Sequence, residues 1–381
     1  MVDELAQKQE RLTRIVYACN EPRGLLLLNE LRKRIPDVCP IDFDHIDHLT
    51  KGIAGGLSYA RDRAEWYANY QMHPLVQRRR AQVFNRSVES LVQPPDAILM
   101  WGSWFHPWMH AQKKTPYYHY IDQSRALAPA YGEPVRPSRA RVRSHALQKN
   151  TYKDCSAVFC MSEWARSQTS AAHPEVRDRC DVVGWGPCSL DLSAEAISPR
   201  VGDPVVLHVS NDFRRKGIDY LIETSRLVKA VMPNVRFVVV GADKKNPRLG
   251  DLADVEFIGQ IGDHVRLARM FRESSVFFLP HRFDRSPHVL VEAMSAGLPL
   301  VVSRQGGAIE LVETTDTGVL VEVGDIEGYS QAICEILTAP ERASSMGQRG
   351  KDLVRSYYNW PGIADRICAS MSHGIRDVLV Q

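Results

Sequence analysis

The sequence predicts an α/β protein built on doubly wound parallel sheets, and three observations carry that prediction. Beyond about residue 204, short continuous apolar runs alternate with segments whose apolar residues recur at helical spacing. Apolar strands joined by helical crossovers belong to parallel sheets covered on both faces. The chain opens the same way, with RIVYAC over Arg14–Cys19, a loop through Gly24 and the leucine-rich helical pattern LLLLNELRKRI. Its 381 residues, 44% hydrophobic and 24% charged, suffice for roughly two or three domains with sizeable cores.

The elements follow in order. Residues 51–94 are charged and aromatic with helical spacing, which predicts surface and packing helices. Ala97–Trp101 is a buried strand after the Pro94-Pro95 break, and Pro116–Asp122 is another, entering a loop at Gln123-Ser124. The helical stretch that follows carries Arg139, Arg141, Arg143, Lys149 and Lys153. It reads either as a solvated face or as a basic patch for an anionic membrane or phosphorylated acceptor. Ala157–Cys160 is a strand leading into a helix capped near Ser162, and Asp181–Gly186 is a strand ending in a glycine turn. Residues Leu190–Asp203, polar and holding Pro199 and Gly202, form the linker.

Beyond the linker, strands are expected at Val205–Val209, Arg236–Val240, Val255–Ile258, Val276–Leu279, Leu298–Val302 and Val319–Val321. Helices are expected over Ile218–Met232, over Val265–Arg272, around Glu292 and over Ser330–Leu337. The run Tyr357–Pro361 breaks the preceding helix, and a final helix over Gly362–Val380 reaches back toward the first half. The expected domains are therefore 1–193, with 359–381 packing back on it, and 194–358.

Composition narrows the function. A net charge of +3 does not argue for nucleic acid. Eight cysteines occur without a CxxC or a Cys/His cluster of zinc spacing, so isolated buried thiols and no metal site are expected. The first residues, MVDELAQKQERLTR, lack the apolar core of a signal peptide, and no run of about 18 apolar residues occurs. A cytoplasmic location is the expectation. Neither GxGxxG nor GxxxxGK[ST] is present, which argues against dinucleotide and NTPase sites.

The most informative stretch is Phe278–Glu313, which reads as strand, polar loop, short helix, strand and glycine-rich loop. Asp284 in the loop and Glu292 in the helix stand eight positions apart, beside a helix N-terminus whose free N–H groups suit an anion. A ligand with a diphosphate at one end and hydroxyls at the other fits this pattern. Upstream, Asn211–Gly217 follows a buried strand and opens a helix, bringing Arg215 and Lys216 to a strand end. A planar fork and a point charge suit a diphosphate, although RRKG alone reads more readily as an exposed basic turn. Gly306-Gly307 reads as a place where backbone can approach a ligand closely.

These blocks resemble the retaining glycosyltransferases of family 4, which adopt the GT-B fold. A typical member has EGFPLVLLEAMACGLPVV where this chain has DRSPHVLVEAMSAGLPLV. Pro287, Val289, Leu290, Glu292, Ala293, Met294, Gly297, Leu298 and Pro299 match in register, Gly306-Gly307-x-x-Glu310 matches a later motif, and SNDFRRKG is similar to the form in lipopolysaccharide-core glucosyltransferases. The resemblance covers about residues 157–358 by motif and the first half only in architecture. It implies two Rossmann-like doubly wound domains facing a central cleft, whose closure brings donor and acceptor together and excludes water.

By this resemblance the donor is a nucleotide-diphosphate sugar and no metal cofactor is needed. Arg215 and Lys216 hold the diphosphate and stabilise the leaving nucleotide, with amides near Val289 and Leu290 adding to the phosphate site. Glu292 takes the ribose hydroxyls, and Asp284, Arg285 and Ser286 lie at the transferred sugar. Asp284 replaces the usual Glu and Arg285 a frequent Gly, so the departures fall at the sugar end. In the first half, Asp122 stands where family members carry a strand-end His and is the first candidate for a catalytic group. His119, within the strand, is the second candidate and reads more readily as a core residue. Gly24 is the candidate loop glycine for the donor phosphates or the attacking oxygen. The implied reaction is hexosyl transfer to a glycan or lipid-linked acceptor, with residues 136–153 and Arg78-Arg79-Arg80 as a docking surface for anionic membrane. The alternatives are a non-catalytic sugar-nucleotide binder and a sugar-nucleotide 2-epimerase of the same fold.

Overall fold

A computed structural model of the chain describes residues 12–61, 63–107, 115–123, 139–194, 202–242 and 254–380. Much of the expected linker, residues 195–201, lies outside this set, as do residues 136–138 and the side chains of Arg139 and Arg141. The chain divides into two units, residues 1–184 with 360–381, and residues 185–359.

In the first unit the described elements are β1 (Arg14–Ala18), α1 (Gly24–Arg32), β2 (Asp37–Ile41), α2 (His48–Leu57), α3 (Arg63–Gln71), α4 (Pro74–Glu89), β3 (Ala97–Trp101), β4 (Tyr117–Ile121), α5 (Arg139–Asp154), β5 (Ala157–Cys160), α6 (Glu163–Ala172) and β6 (Cys180–Val182). The strands form one parallel sheet in the order β2-β1-β3-β4-β5-β6. Strand β2 is absent from the sequence expectations because Pro40 interrupts its pattern. At the sheet edge a proline costs little, since its missing N–H can face outward. The strand expected over Asp181–Gly186 ends instead at Val182.

The second unit contains β7 (Val205–Val209), α7 (Ile218–Val231), β8 (Arg236–Val240), β9 (Val255–Gly259), α8 (His264–Glu273), β10 (Val276–Leu279), α9 (His288–Ser295), β11 (Leu300–Ser303), α10 (Ala308–Val312), β12 (Gly318–Val321), α11 (Ile326–Thr338) and α12 (Pro340–Ser356). Its parallel sheet runs β12-β11-β10-β7-β8-β9. Strand β10 is buried throughout, sandwiched by helices that bury Leu221, Phe271, Leu290 and Ile333.

The last helix, α13 (Trp360–Val380), belongs to the first unit. Ile363, Ala364, Ile367 and Met371 are fully buried at helical spacing, and the Tyr118 hydroxyl donates to the Met371 carbonyl at 3.3 Å. Arg34 on the first unit binds Asp365 at 2.5 Å and the Pro361 carbonyl at 2.8 Å. Among the described residues no helix is long and apolar enough to cross a membrane.

Candidate functional site

Chain order reverses in the second sheet between β7 and β10, which are neighbours. Open α/β sheets bind ligands outside the carboxyl ends of strands at such a switch point. Two loops leave the sheet there, Ser210–Gly217 after β7 and Pro280–Pro287 after β10. The first ends at Gly217, in the left-handed region at φ 70°, where a Cβ would stand 1.8 Å from the Pro280 carbonyl oxygen. The glycine of RRKG thus lets the two loops touch. Arg282, which the sequence reading did not single out, clasps them further. Its N–H donates to the Arg215 carbonyl at 2.9 Å, its guanidinium pairs with both oxygens of Asp219 at 2.7 and 2.6 Å, and it stacks on Tyr220 at 3.8 Å.

This clasp brings Arg215 and Lys216 to Asp284. The Lys216 ammonium forms an ion pair with Asp284 Oδ2, and Arg215 Nη1 lies 3.6 Å from the same oxygen. Arg215 is also held by Asp212, at 2.9 Å through Nε and 3.1 Å through its backbone N–H. Burial by itself would raise the Asp284 pKa, but the charges of Lys216, His281 and Arg215 outweigh it and hold the carboxyl well below the usual carboxylate range.

Two buried histidines underlie the cluster. His208 places Nδ1 2.9 Å from the Phe278 carbonyl and Nε2 2.7 Å from Ser210 Oγ, which fits a neutral ring protonated at Nδ1. Burial pushes its pKa down to about 4. His281 sits between the Leu279 carbonyl at 3.1 Å and the Gln305 carbonyl at 3.2 Å, connecting β10 to the glycine loop. Burial lowers its pKa against the pull of Asp284.

The glycine pair does something other than the sequence suggests. Gly306, at φ 62°, would place a Cβ 1.8 Å from the Asp284 carbonyl oxygen, and a Cβ on Gly307 would lie 2.5 Å from that of Arg285. The Gly307 N–H donates to the Arg285 carbonyl at 2.8 Å. Gly306-Gly307 therefore makes room for the protein's own Asp284–Arg285 backbone, fixing the loop that presents the carboxylate.

Helix α9 organises the other side. Glu292 is buried, and its Oε1 accepts the N–H groups of Cys188 at 3.1 Å and Ser189 at 2.6 Å. Burial raises its pKa, against the lowering effect of the amides of Ser189, Leu190 and Cys188. One turn before, His288 Nδ1 lies 2.6 Å from the Gly186 carbonyl, and one turn after, Ser295 Oγ accepts the Leu192 N–H at 3.0 Å. His288, Glu292 and Ser295 occupy one face at i, i+4 and i+7, and that face binds Gly186–Leu192. This explains why the second unit starts at Trp185 rather than 194. The signal in the sequence is three polar residues at helical spacing in an otherwise apolar helix.

At the start of α9 the Leu290 N–H is closed on the Pro287 carbonyl at 2.9 Å, a correction to its expected place in an anion site. No side chain caps the start of α9, where Val289 lies in the first turn. Ser286 is 6% exposed and its Oγ lacks a hydrogen-bond partner; so does the Nε1 of the fully buried Trp185, whose ring lies against Gly307. The unsatisfied Ser286 hydroxyl, adjoining Arg285 in the same loop, is where a polar ligand would bring a hydrogen bond.

The first-unit candidates lie apart in role. Gly24 opens α1, where a Cβ would meet Cys19 Sγ at 2.0 Å, and its carbonyl accepts from the Tyr17 hydroxyl at 3.1 Å. It is a close-packing glycine against Cys19 and Tyr17. His119 is fully buried within β4, with Nδ1 2.8 Å from the Gly102 carbonyl, and burial lowers its pKa to about 4. Its Nε2 has no hydrogen-bond partner among the described residues. Asp122 is half-buried just past the carboxyl end of β4. Beside it Gln123 is 4% exposed with neither amide atom hydrogen-bonded, a feature the sequence does not signal. Arg80, expected on a docking surface, is 1% exposed and pairs with Asp44 at 2.8 Å, while Arg79 pairs with Asp47 at 3.1 Å. Among the described residues no cluster of three His, Cys, Asp or Glu could hold a metal ion.

Residues 193–353 match the family described as Glycosyl transferases group 1. The chain is 28% identical over 176 residues to the GDP-mannose-dependent monoacylated alpha-(1-6)-phosphatidylinositol monomannoside mannosyltransferase of Corynebacterium glutamicum, covering 43% of this chain and 46% of that one. It is 26% identical over 271 residues to a GDP-mannose-dependent alpha-(1-6)-phosphatidylinositol monomannoside mannosyltransferase of Mycobacterium tuberculosis, covering 64% and 68%. The chain thus spans about half the length of the first relative and about two thirds of the second. Among solved structures, sucrose-phosphate synthase from Thermosynechococcus elongatus is similar with a TM-score of 0.65 at 19% identity, covering 97% of this chain and 99% of that one. WaaG, a glycosyltransferase involved in lipopolysaccharide biosynthesis, is similar with a TM-score of 0.64 at 14% identity, covering 94% and 99%. At these identities the likeness shows the fold, two six-stranded parallel sheets flanked by helices.

Proposed function

We propose that this chain, a member of the group 1 glycosyl transferases with the GT-B fold, moves a hexosyl group from a nucleotide-diphosphate sugar to an acceptor hydroxyl with retention of configuration. The observation that carries the reading is the convergence of Arg215, Lys216 and Asp284 at the switch point of the second sheet, beside the open end of α9. As the bond to the sugar breaks, the diphosphate gains charge. Fixed cations and the Val289 amide at the helix start then lower the barrier. The diphosphate takes over the cations now paired with Asp284, and the freed carboxylate turns to the sugar hydroxyls. Ser286 and Arg285 lie next to it in the same loop. Glu292, fixed through Oε1 by Cys188 and Ser189, offers Oε2 to the ribose.

GDP-mannose is the first donor to test, because relatives are named for it, with UDP-glucose second. A glycan or lipid-linked hydroxyl is the acceptor class, with Asp122 as the first-unit group to orient it. Release of nucleoside diphosphate is expected with one of these donors. The double variant Arg215→Ala/Lys216→Ala is expected to lower it roughly a hundredfold or more. Unchanged turnover in the folded double variant would falsify the diphosphate assignment, and binding without turnover in the native chain would favour a sugar-nucleotide binder instead.

A further inference from the structure

A neutral imidazole carries a single N–H, yet His281 presents both ring nitrogens to oxygens that can only accept. Nδ1 lies 3.1 Å from the Leu279 carbonyl and Nε2 lies 3.2 Å from the Gln305 carbonyl, with the side chain fully buried. In the neutral ring one nitrogen therefore turns its lone pair toward a carbonyl oxygen. In the imidazolium both nitrogens donate, and nothing has to move. His208, under the same cluster, differs in one respect. Its second nitrogen faces Ser210 Oγ, a hydroxyl that can donate, so a neutral ring satisfies both contacts.

The charges around His281 balance its preference for a second proton. Burial opposes the proton, the Asp284 carboxylate favours it, and the Lys216 ammonium opposes it. From the β7 side the ring also meets His208, which burial holds neutral. Arg215 acts through the carboxylate it shares with Lys216. In the ring's own loop Arg282 is paired with Asp219, and Arg285 follows Asp284 directly. Toward the glycine loop, Arg304 is paired with Glu313 and Glu322.

We propose that His281 is a proton-linked positioning residue of the donor site, taking up a proton when a nucleoside diphosphate draws Lys216 and Arg215 away from Asp284. The two cations now neutralise that carboxylate. Once they turn to the diphosphate, the Asp284 charge is uncompensated, and phosphate offsets the Lys216 charge that opposed protonation. Both changes favour the imidazolium, whose second N–H is already matched by a carbonyl. The protonated ring then holds Asp284 by charge and the Gln305 end of the glycine loop by hydrogen bond while donor is bound. The inference deepens the donor reading and rests on it. Linkage fixes the sign: affinity falls as pH rises from the free ring's pKa toward that of the bound state.

The test is calorimetry of GDP and of UDP binding to the full chain, repeated in buffers of different ionisation heat, which counts the protons exchanged. At about pH 7.5 an uptake of roughly a third of a proton or more is expected. A phosphate that gains cationic partners gives up protons, so uptake reports on the protein. His281→Gln keeps a side-chain donor but cannot titrate, and it is expected to bind the diphosphate without the uptake. Between about pH 6.5 and 8.5 the native affinity is expected to fall about threefold or more relative to the variant's. No uptake by the native chain, a count that needs no variant, overturns the proposal, as does equal uptake by the folded variant; both leave the donor reading standing. Binding of neither diphosphate overturns the donor reading and this inference with it.

Discussion

The carboxylate of Asp284 neutralises two cations that a diphosphate also needs, Lys216 in direct contact and Arg215 at 3.6 Å. A nucleoside diphosphate and Asp284 therefore compete for the same charge. Replacing Asp284 by Asn removes the competitor while keeping its shape, so nucleoside diphosphate binding is expected to tighten, by about tenfold for roughly 1.4 kcal/mol of relieved competition. Transfer is expected to fall in the same variant, because the sugar loses its charged acceptor. Calorimetry with GDP or UDP, set beside turnover, checks both; weaker diphosphate binding would show that Asp284 positions the cations rather than competing for them. Residue types and spacing made this trio legible in the sequence. The ion pair was not legible, because it depends on two loops meeting 68 positions apart in the chain.

The glycine loop after β11 acts as an element, setting the position of its neighbour. Gly306 at φ 62° leaves 1.8 Å between a Cβ and the Asp284 carbonyl oxygen, which no side chain can occupy without moving the loop. Gly306→Ala is expected to destabilise the chain by about 2 kcal/mol or more and to reduce turnover with it. Gly262→Ala has nothing within 4 Å of its Cβ and is expected to change stability by less than about 0.5 kcal/mol. Denaturant midpoints of the two variants measure the contrast, and equal midpoints would sink the close-approach account. The sequence displayed the glycine pair; it could not say that the backbone it admits is the protein's own. Helix α9 gives the same lesson, since Glu292 was legible by motif, whereas its grip on Cys188 and Ser189 required the fold.

At the scale of the molecule, the first unit is completed by the last helix of the chain. Ile363, Ile367 and Met371 are fully buried in it, and Trp360 stands 6.1 Å from Trp101 between ring centroids. Burying three such side chains contributes roughly 5–9 kcal/mol, comparable with the whole stability of a typical domain. Removing residues 360–381 is therefore expected to make the first unit the preferred target of limited proteolysis, with cleavage concentrated within residues 12–184. An unchanged digestion pattern would show that α13 is dispensable to that core.

The sequence by itself determined the α/β class, most strands and helices of the second unit, and the residues that converge at its switch point. It could do so because buried strands and crossover helices impose local periods, and because a diphosphate demands particular side chains at strand ends. Only the tertiary structure decided that Gly24 packs against Cys19 and Tyr17, that the second unit begins at Trp185, and that Arg80 is buried against Asp44. Burial, close approach and ion pairing depend on which distant segments are brought together, and no local pattern in the chain encodes that.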